Sequence, residues 1–172
     1  MSILNIVKEP DPILRKKCDE VHGVDQDLKK LMNDMLETMY NAPGIGLAAP
    51  QVGVLKRVIV IDLSRDEENK NPLFIVNPKI IWRSEEMNIR EEGCLSIPNH
   101  YAEVERPTKC KLEYLDYNGK KNFLDADDLL STCIQHEVDH CNGILFIDYL
   151  SKLKKNMIIK KLIKAKKEKE IF

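Results

Sequence analysis

Residues 134–141, IQHEVDHC, limit what this chain can fold into more than any other stretch. On a helix, His136 and His140 sit ~40° apart around the axis and ~6 Å along it, so both imidazoles project from one face. Leu129 and Cys133 fall on that same face. The histidines thus lie on the apolar side, where unpaired polar groups are costly, and they need a partner there. One metal ion gripped by both rings meets that need; the alternative is a core or surface helix that carries two histidines by chance. Glu137 is turned ~100° from His136, beside such an ion rather than on it, which suits a base for bound water and not a third ligand.

A catalytic ion needs three protein ligands and an open position. The other histidines, His22 and His100, stand in no motif, and a downstream glutamate would have to be Glu168 or Glu170 in a lysine-rich tail. Cys94 in EEGCLSIP is the better candidate. Gly93 permits close backbone approach, and a thiol beside a cation ionises readily. A set of Cys94, His136 and His140 suits Fe(II), Zn(II), Ni(II) or Co(II) rather than Mg(II) or Ca(II). Without the histidine pair, a buried Cys94 would read only as a small apolar residue.

The rest of the chain frames this helix. Leu28, Leu31, Met32, Met35, Leu36 and Met39 recur at helical spacing after VDQD, with Asp25 or Asp27 as a cap and NAPG as the stop. That stripe reads as core packing, with a ligand groove as the alternative. RVIVID and LFIVNP read as short buried strands, and the alternation on both sides of Asn118-Gly119 predicts a hairpin. Asp127 or Asp128 caps the histidine helix and Gly143 ends it. A further helix runs from Ser151 to about Lys169, apolar on one side and lysine-rich elsewhere. At 172 residues, 43% hydrophobic and 32% charged, the chain has the size and composition of one globular domain. The expected fold is α+β over 1–172: mixed or antiparallel β-sheets packed around a central metal-binding helix, with N-terminal and C-terminal helices. Five irregularly spaced cysteines without a C-x-x-C pair argue against a disulfide scaffold. MSILNIVKEPDP shows no targeting pattern, so a cytoplasmic location is expected.

GIGLAAPQVG at 44–53, EGCLS at 92–96 and QHEVDH at 135–140 together resemble the three signature motifs of bacterial peptide deformylase, in that family's order and approximate spacing. The similarity extends through VIVID, YLDYNGK and GILFIDYLS, so it covers most of the chain. The resemblance implies hydrolysis of the N-formyl group from the initiator methionine of nascent chains, with release of formate. It implies Cys94, His136 and His140 as ligands of one divalent ion, iron(II) natively, with zinc, nickel or cobalt able to replace it. Metal-bound water would attack the formyl carbon with Glu137 as general base and then acid. The Gln51 side-chain amide and the Leu95 backbone N–H would steady the oxyanion. Gly46 and its neighbours would pair with the peptide like an added strand, although these glycines also suit a plain helix-to-strand turn. Ile45, Leu129 and Cys133 would wall the methionine slot, and Glu92 would hold its loop through Arg106. Tyr101 stands where many members carry arginine, so recognition beyond the methionine is expected to differ.

From Ser151 onward nine lysines face two glutamates, a balance of +7, so the remaining 150 residues carry −8. This tail is either a solvated helix face or a docking element for ribosomal RNA. With Phe172 as its only aromatic residue it is a poor membrane anchor, and no membrane or DNA partner is expected. Two rival classes stay open: an H-E-x-x-H endopeptidase, and a non-catalytic metal-binding or ribosome-interaction protein on the same scaffold. The second should have lost Glu137, Gln51 or Cys94, and all three are present.

Overall fold

The histidine helix, α2 (Asp128–Cys141), has ten of its fourteen residues buried and touches both sheets. A helix covered nearly all round is a core element rather than a surface one. The computed structural model describes residues 1–64 and 66–170, so Phe172 lies outside the described residues. Among the described residues the other helices are α1 (Gln26–Asn41) and α3 (Lys152–Glu170). The strands are β1 (Gly46–Ala48), β2 (Val58–Ile61), β3 (Leu73–Arg83), β4 (Met87–Cys94), β5 (Ile97–Pro107), β6 (Lys109–Leu115) and β7 (Lys121–Asp127). They form a five-stranded sheet in the order β1-β2-β3-β6-β7 and a two-stranded ribbon of β4 and β5, with every paired strand antiparallel.

Local chemistry explains most of these elements. The Asp25 carboxylate accepts from the Leu28 N–H at the start of α1, and Asp127 accepts from the Asp128 N–H at the start of α2. All four residues of β2 are buried, so RVIVID carries an apolar run in place of alternation. The hairpin pairs Leu115 with Lys121 around Asn118-Gly119. Met32, Met35 and Met39 of α1 pack against Leu47, Val58, Val60 and Val76, which makes the methionine stripe core packing.

Two features differ from the sequence expectation. LFIVNP does not end at its proline: β3 continues to Arg83, with a register shift between Val76 and Lys79 and Asn77 at a φ of 50°. Pro78 has no N–H to give the ladder, and the bulge carries the strand past it. The EGCLS motif, whose Glu92 was expected to hold a loop, is divided: Glu92, Gly93 and Cys94 end β4, and only Leu95 and Ser96 turn the chain into β5.

At the other end of α2, Gly143 adopts a φ of 75°, and an added Cβ would lie 2.5 Å from the Arg15 carbonyl oxygen. Neither the backbone angle nor the space admits a side chain. Gly143→Ala is expected to lower unfolding stability by about 2 kcal/mol or more. An unchanged urea midpoint would refute this account of how α2 stops.

Candidate metal centre

Alternation along β4 turns Arg90, Glu92 and Cys94 to one face of the ribbon. Helical periodicity turns Thr132, His136 and His140 to one side of α2. The two rows meet in order. Cys94 Sγ lies 3.3 Å from His140 Nε2, Glu92 Oε1 lies 2.9 Å from His136 Nδ1, and Arg90 reaches Asp128 at 3.7 Å. The ligating atoms of Cys94, His136 and His140 all fall within 4.8 Å of one another, so the three side chains could hold one metal ion.

The surroundings suit a cation. Glu92 is a buried acceptor, so His136 Nδ1 carries the hydrogen and Nε2 keeps its lone pair for the site. Burial alone would lower the His136 pKa, but hydrogen bonds with Cys94 and Glu92 outweigh it and raise the pKa well above the ordinary value. Without an ion the ring thus takes a proton on Nε2, the position that a bound metal ion would occupy in its place. His140 goes the other way: burial, then repulsion from His136 and Arg106, holds its pKa far down, which leaves a neutral ring with a free lone pair. One thiol and two imidazoles, one with its tautomer fixed, fit a divalent transition metal.

Glu92 is itself clamped. Arg106 Nε donates to Oε2 at 2.7 Å and Nη2 to Oε1 at 3.0 Å, while Nη1 donates to Asp139 Oδ2 at 2.9 Å. The Tyr149 hydroxyl also donates to Asp139 Oδ2, at 2.7 Å, and its ring lies under the Arg106 guanidinium. Burial opposes the Glu92 charge, yet the bonds from His136 and Arg106 hold its pKa below the usual range. Removing one partner of such a buried pair costs about 3–5 kcal/mol.

Glu137 is buried, and its Oε2 has no hydrogen-bond partner among the described residues. Burial raises its pKa to about 7, against the attraction of His136 and with added repulsion from Glu92. A carboxylate so placed exchanges a proton near neutrality. Its Oε1 lies 2.6 Å from where a Cβ on Gly46 would stand, so a glycine at that position lets β1 pass directly over the carboxylate.

Gln51 is buried beside the same cluster. Its Nε2 donates to Ser96 Oγ at 3.0 Å and lies 3.4 Å from Cys94 Sγ, and its Oε1 accepts from the Ala48 N–H. Leu95 stands in the link between β4 and β5. A cavity of about 800 Å³ opens onto Glu137 and His136, lined by Ile45, Gly46, Gly93, Leu129 and Cys133 among others. Ile45 sits exposed at the mouth. Burial pushes the Cys133 thiol up to about 12, so it is a neutral wall. Tyr101 is 67% exposed and pairs across the ribbon with Gly93, its ring occupying the space a Gly93 side chain would need.

Ile45, Gly46, Gln51, Glu92, Gly93, Cys94, Leu95, Tyr101, Leu129, Cys133, His136 and Glu137 thus line one cavity, with His140 against Cys94. Arg90, Thr132, Asp139 and Tyr149 escaped notice. Arg90 was legible in the alternation of NIREEGC, which puts it on the face of Glu92 and Cys94.

A family model described as polypeptide deformylase matches residues 3–156. The chain belongs to the polypeptide deformylase family. Peptide deformylase of Pelagibacter ubique is 59% identical over 166 residues, covering 96% of each chain. That of Rhizobium meliloti is 53% identical over 97% of this chain and 96% of its own. The crystal structure of peptide deformylase from Ehrlichia chaffeensis superposes with a TM-score of 0.92 at 41% identity, covering 99% of this chain and 100% of that one. The deformylase match stops within α3, whose remaining turns lie beyond it.

If Glu92 sets the His136 tautomer, Glu92→Gln is expected to weaken zinc or nickel binding by about tenfold or more. Competitive titration against a chromophoric chelator measures this, and an unaltered dissociation constant would contradict the role.

Proposed function

We propose that this deformylase-family enzyme removes the N-formyl group from the initiator methionine of nascent polypeptides and releases formate. The observation that carries the reading is the Glu137 carboxylate, buried and unsatisfied beside Cys94, His136 and His140, at the end of a cavity a peptide terminus can enter. A divalent ion held by Cys94, His136 and His140 would polarise the formyl oxygen and acidify a water. Glu137 accepts the proton of the attacking water and passes it to the amine nitrogen as the C–N bond breaks. Its pKa near neutrality suits both halves of that exchange.

The Gln51 amide and the Leu95 N–H supply donors for the developing oxyanion. The close placement of Gln51 Nε2 to Cys94 Sγ supports the first of these. β1 is an edge of the five-stranded sheet and passes over Glu137, which supports its pairing with an incoming peptide at Gly46. Ile45, Leu129 and Cys133 wall the slot for the methionine side chain, and Gly93 leaves room for the Tyr101 ring in the cavity wall. Iron(II) is the native ion on this reading, with zinc, nickel and cobalt as substitutes. Residues 1–172 act as one domain in the cytoplasm; no helix among the described residues is long and apolar enough to cross a membrane.

Formate release from a formyl-Met peptide by anaerobically prepared, Fe(II)-loaded protein tests the reading. Glu137→Ala is expected to lower kcat/KM by about 100-fold or more. A chelator should abolish the activity and added metal restore it. Stoichiometric metal without formate would sink the assignment, and casein cleavage in its place would revive the endopeptidase class.

The same reading places the enzyme at the ribosome through α3. That helix buries Leu162 while leaving Leu153 72% exposed, and its lysines face solvent apart from Lys155, which pairs with Asp148. Co-sedimentation with ribosomes is expected to weaken by about tenfold or more between 50 and 200 mM salt, as phosphate contacts do. Binding indifferent to salt, or none, would remove α3 from this role.

A further inference from the structure

The cavity runs from His136 back along α2, and its lining includes Thr132 and Arg90 as well as the apolar walls. Thr132 and Leu129 lie one and two turns before His136, ~6 and ~10 Å along the helix. A methionine side chain that entered beside Glu137 and lay along this wall would reach both. Arg90 belongs at the far end by register: it stands two residues before Glu92 on the same face of β4, and its Nη2 is 3.7 Å from Oδ1 of Asp128, the first residue of α2.

That ion pair is loose, and its carboxylate is 69% exposed, so it holds the guanidinium weakly. Arg90 Nε is buried with no hydrogen-bond partner among the described residues. A slot walled by Ile45, Leu129 and Cys133 alone would select by shape. Arg90 Nε is enclosed in the wall, but the side chain is 36% exposed and its Nη groups, held only by that loose pair, can turn a donor toward an acceptor in the cavity. Its alkyl stem meanwhile serves as apolar wall.

Resting on the deformylase reading, we infer that Arg90 and Thr132 are specificity residues that donate hydrogen bonds to an acceptor at the tip of the first side chain. A thioether sulfur accepts weakly and a sulfoxide oxygen strongly. The pocket therefore distinguishes methionine from its isostere norleucine and admits formyl-methionine sulfoxide as a substrate.

The test compares kcat/KM for three formylated peptides that differ only at the first residue, methionine, norleucine or methionine sulfoxide, on metal-loaded wild type, Arg90→Leu and Thr132→Val. Wild type is expected to favour methionine over norleucine about fivefold, the worth of a modest hydrogen bond. Wild type should also hydrolyse the sulfoxide peptide at a rate comparable to methionine. Arg90→Leu should lower the sulfoxide-to-methionine ratio by about tenfold or more, as expected for loss of a charged donor. The same variant should bring the methionine-to-norleucine ratio toward one. Thr132→Val, nearly isosteric, should shift both ratios the same way by less. Refusal of the sulfoxide by wild type, ratios unchanged in both variants, or a parallel fall on all three peptides would overturn the inference. Absence of formate even from the formyl-methionine peptide would instead bring down the deformylase reading on which it rests.

Discussion

The buried Glu92 carboxylate is the interaction on which the rest of the site depends. It sits on β4, accepts from His136 of α2 and receives two bonds from Arg106 of β5. Arg106 continues to Asp139, one residue before His140, and to the ring of Tyr149 beyond the helix. One charge thus ties the ribbon, the ligand helix and the segment after it into a single geometry. Desolvating so many ionic groups is expensive, and only the completeness of the bonding makes it tolerable. The return is positional, since a histidine held at Nδ1 by a fixed carboxylate keeps its other nitrogen turned toward Cys94 and His140.

Electrostatic contrast between adjacent acids follows from that frame. Glu92 is satisfied on both oxygens and stays ionised. Glu137, just as buried, has an oxygen without a partner and titrates near neutrality. Two carboxylates in one pocket are thus held in different ionisation states by their hydrogen bonds and by the Arg106 charge beside Glu92.

Much of this was legible in the sequence because the signals were local. The H-E-x-x-H spacing fixes ring directions on any helix, caps such as Asp25 and Asp127 announce helix starts, and Asn118-Gly119 announces a hairpin. Cys94 became legible as a candidate ligand only through the demand of the histidine pair. What stayed hidden was long-range. The course of β3 past Pro78 depends on a bulge against β6, and Asp139 and Tyr149 acquire meaning only when Arg106 arrives from another strand. Arg90 is a middle case: its face was readable from alternation, but its place in the cavity depends on how the ribbon lies along α2.

The burial of α2 bears on how ions come and go. Both histidines belong to a helix enclosed by the core, and the thiol ends a strand clamped to it, so bringing the three donors together is completed by folding itself. Exchange of one divalent ion for another at such a site would require no remodelling of the chain. Occupancy would then follow cellular supply and each ion's resistance to oxidation, rather than shape.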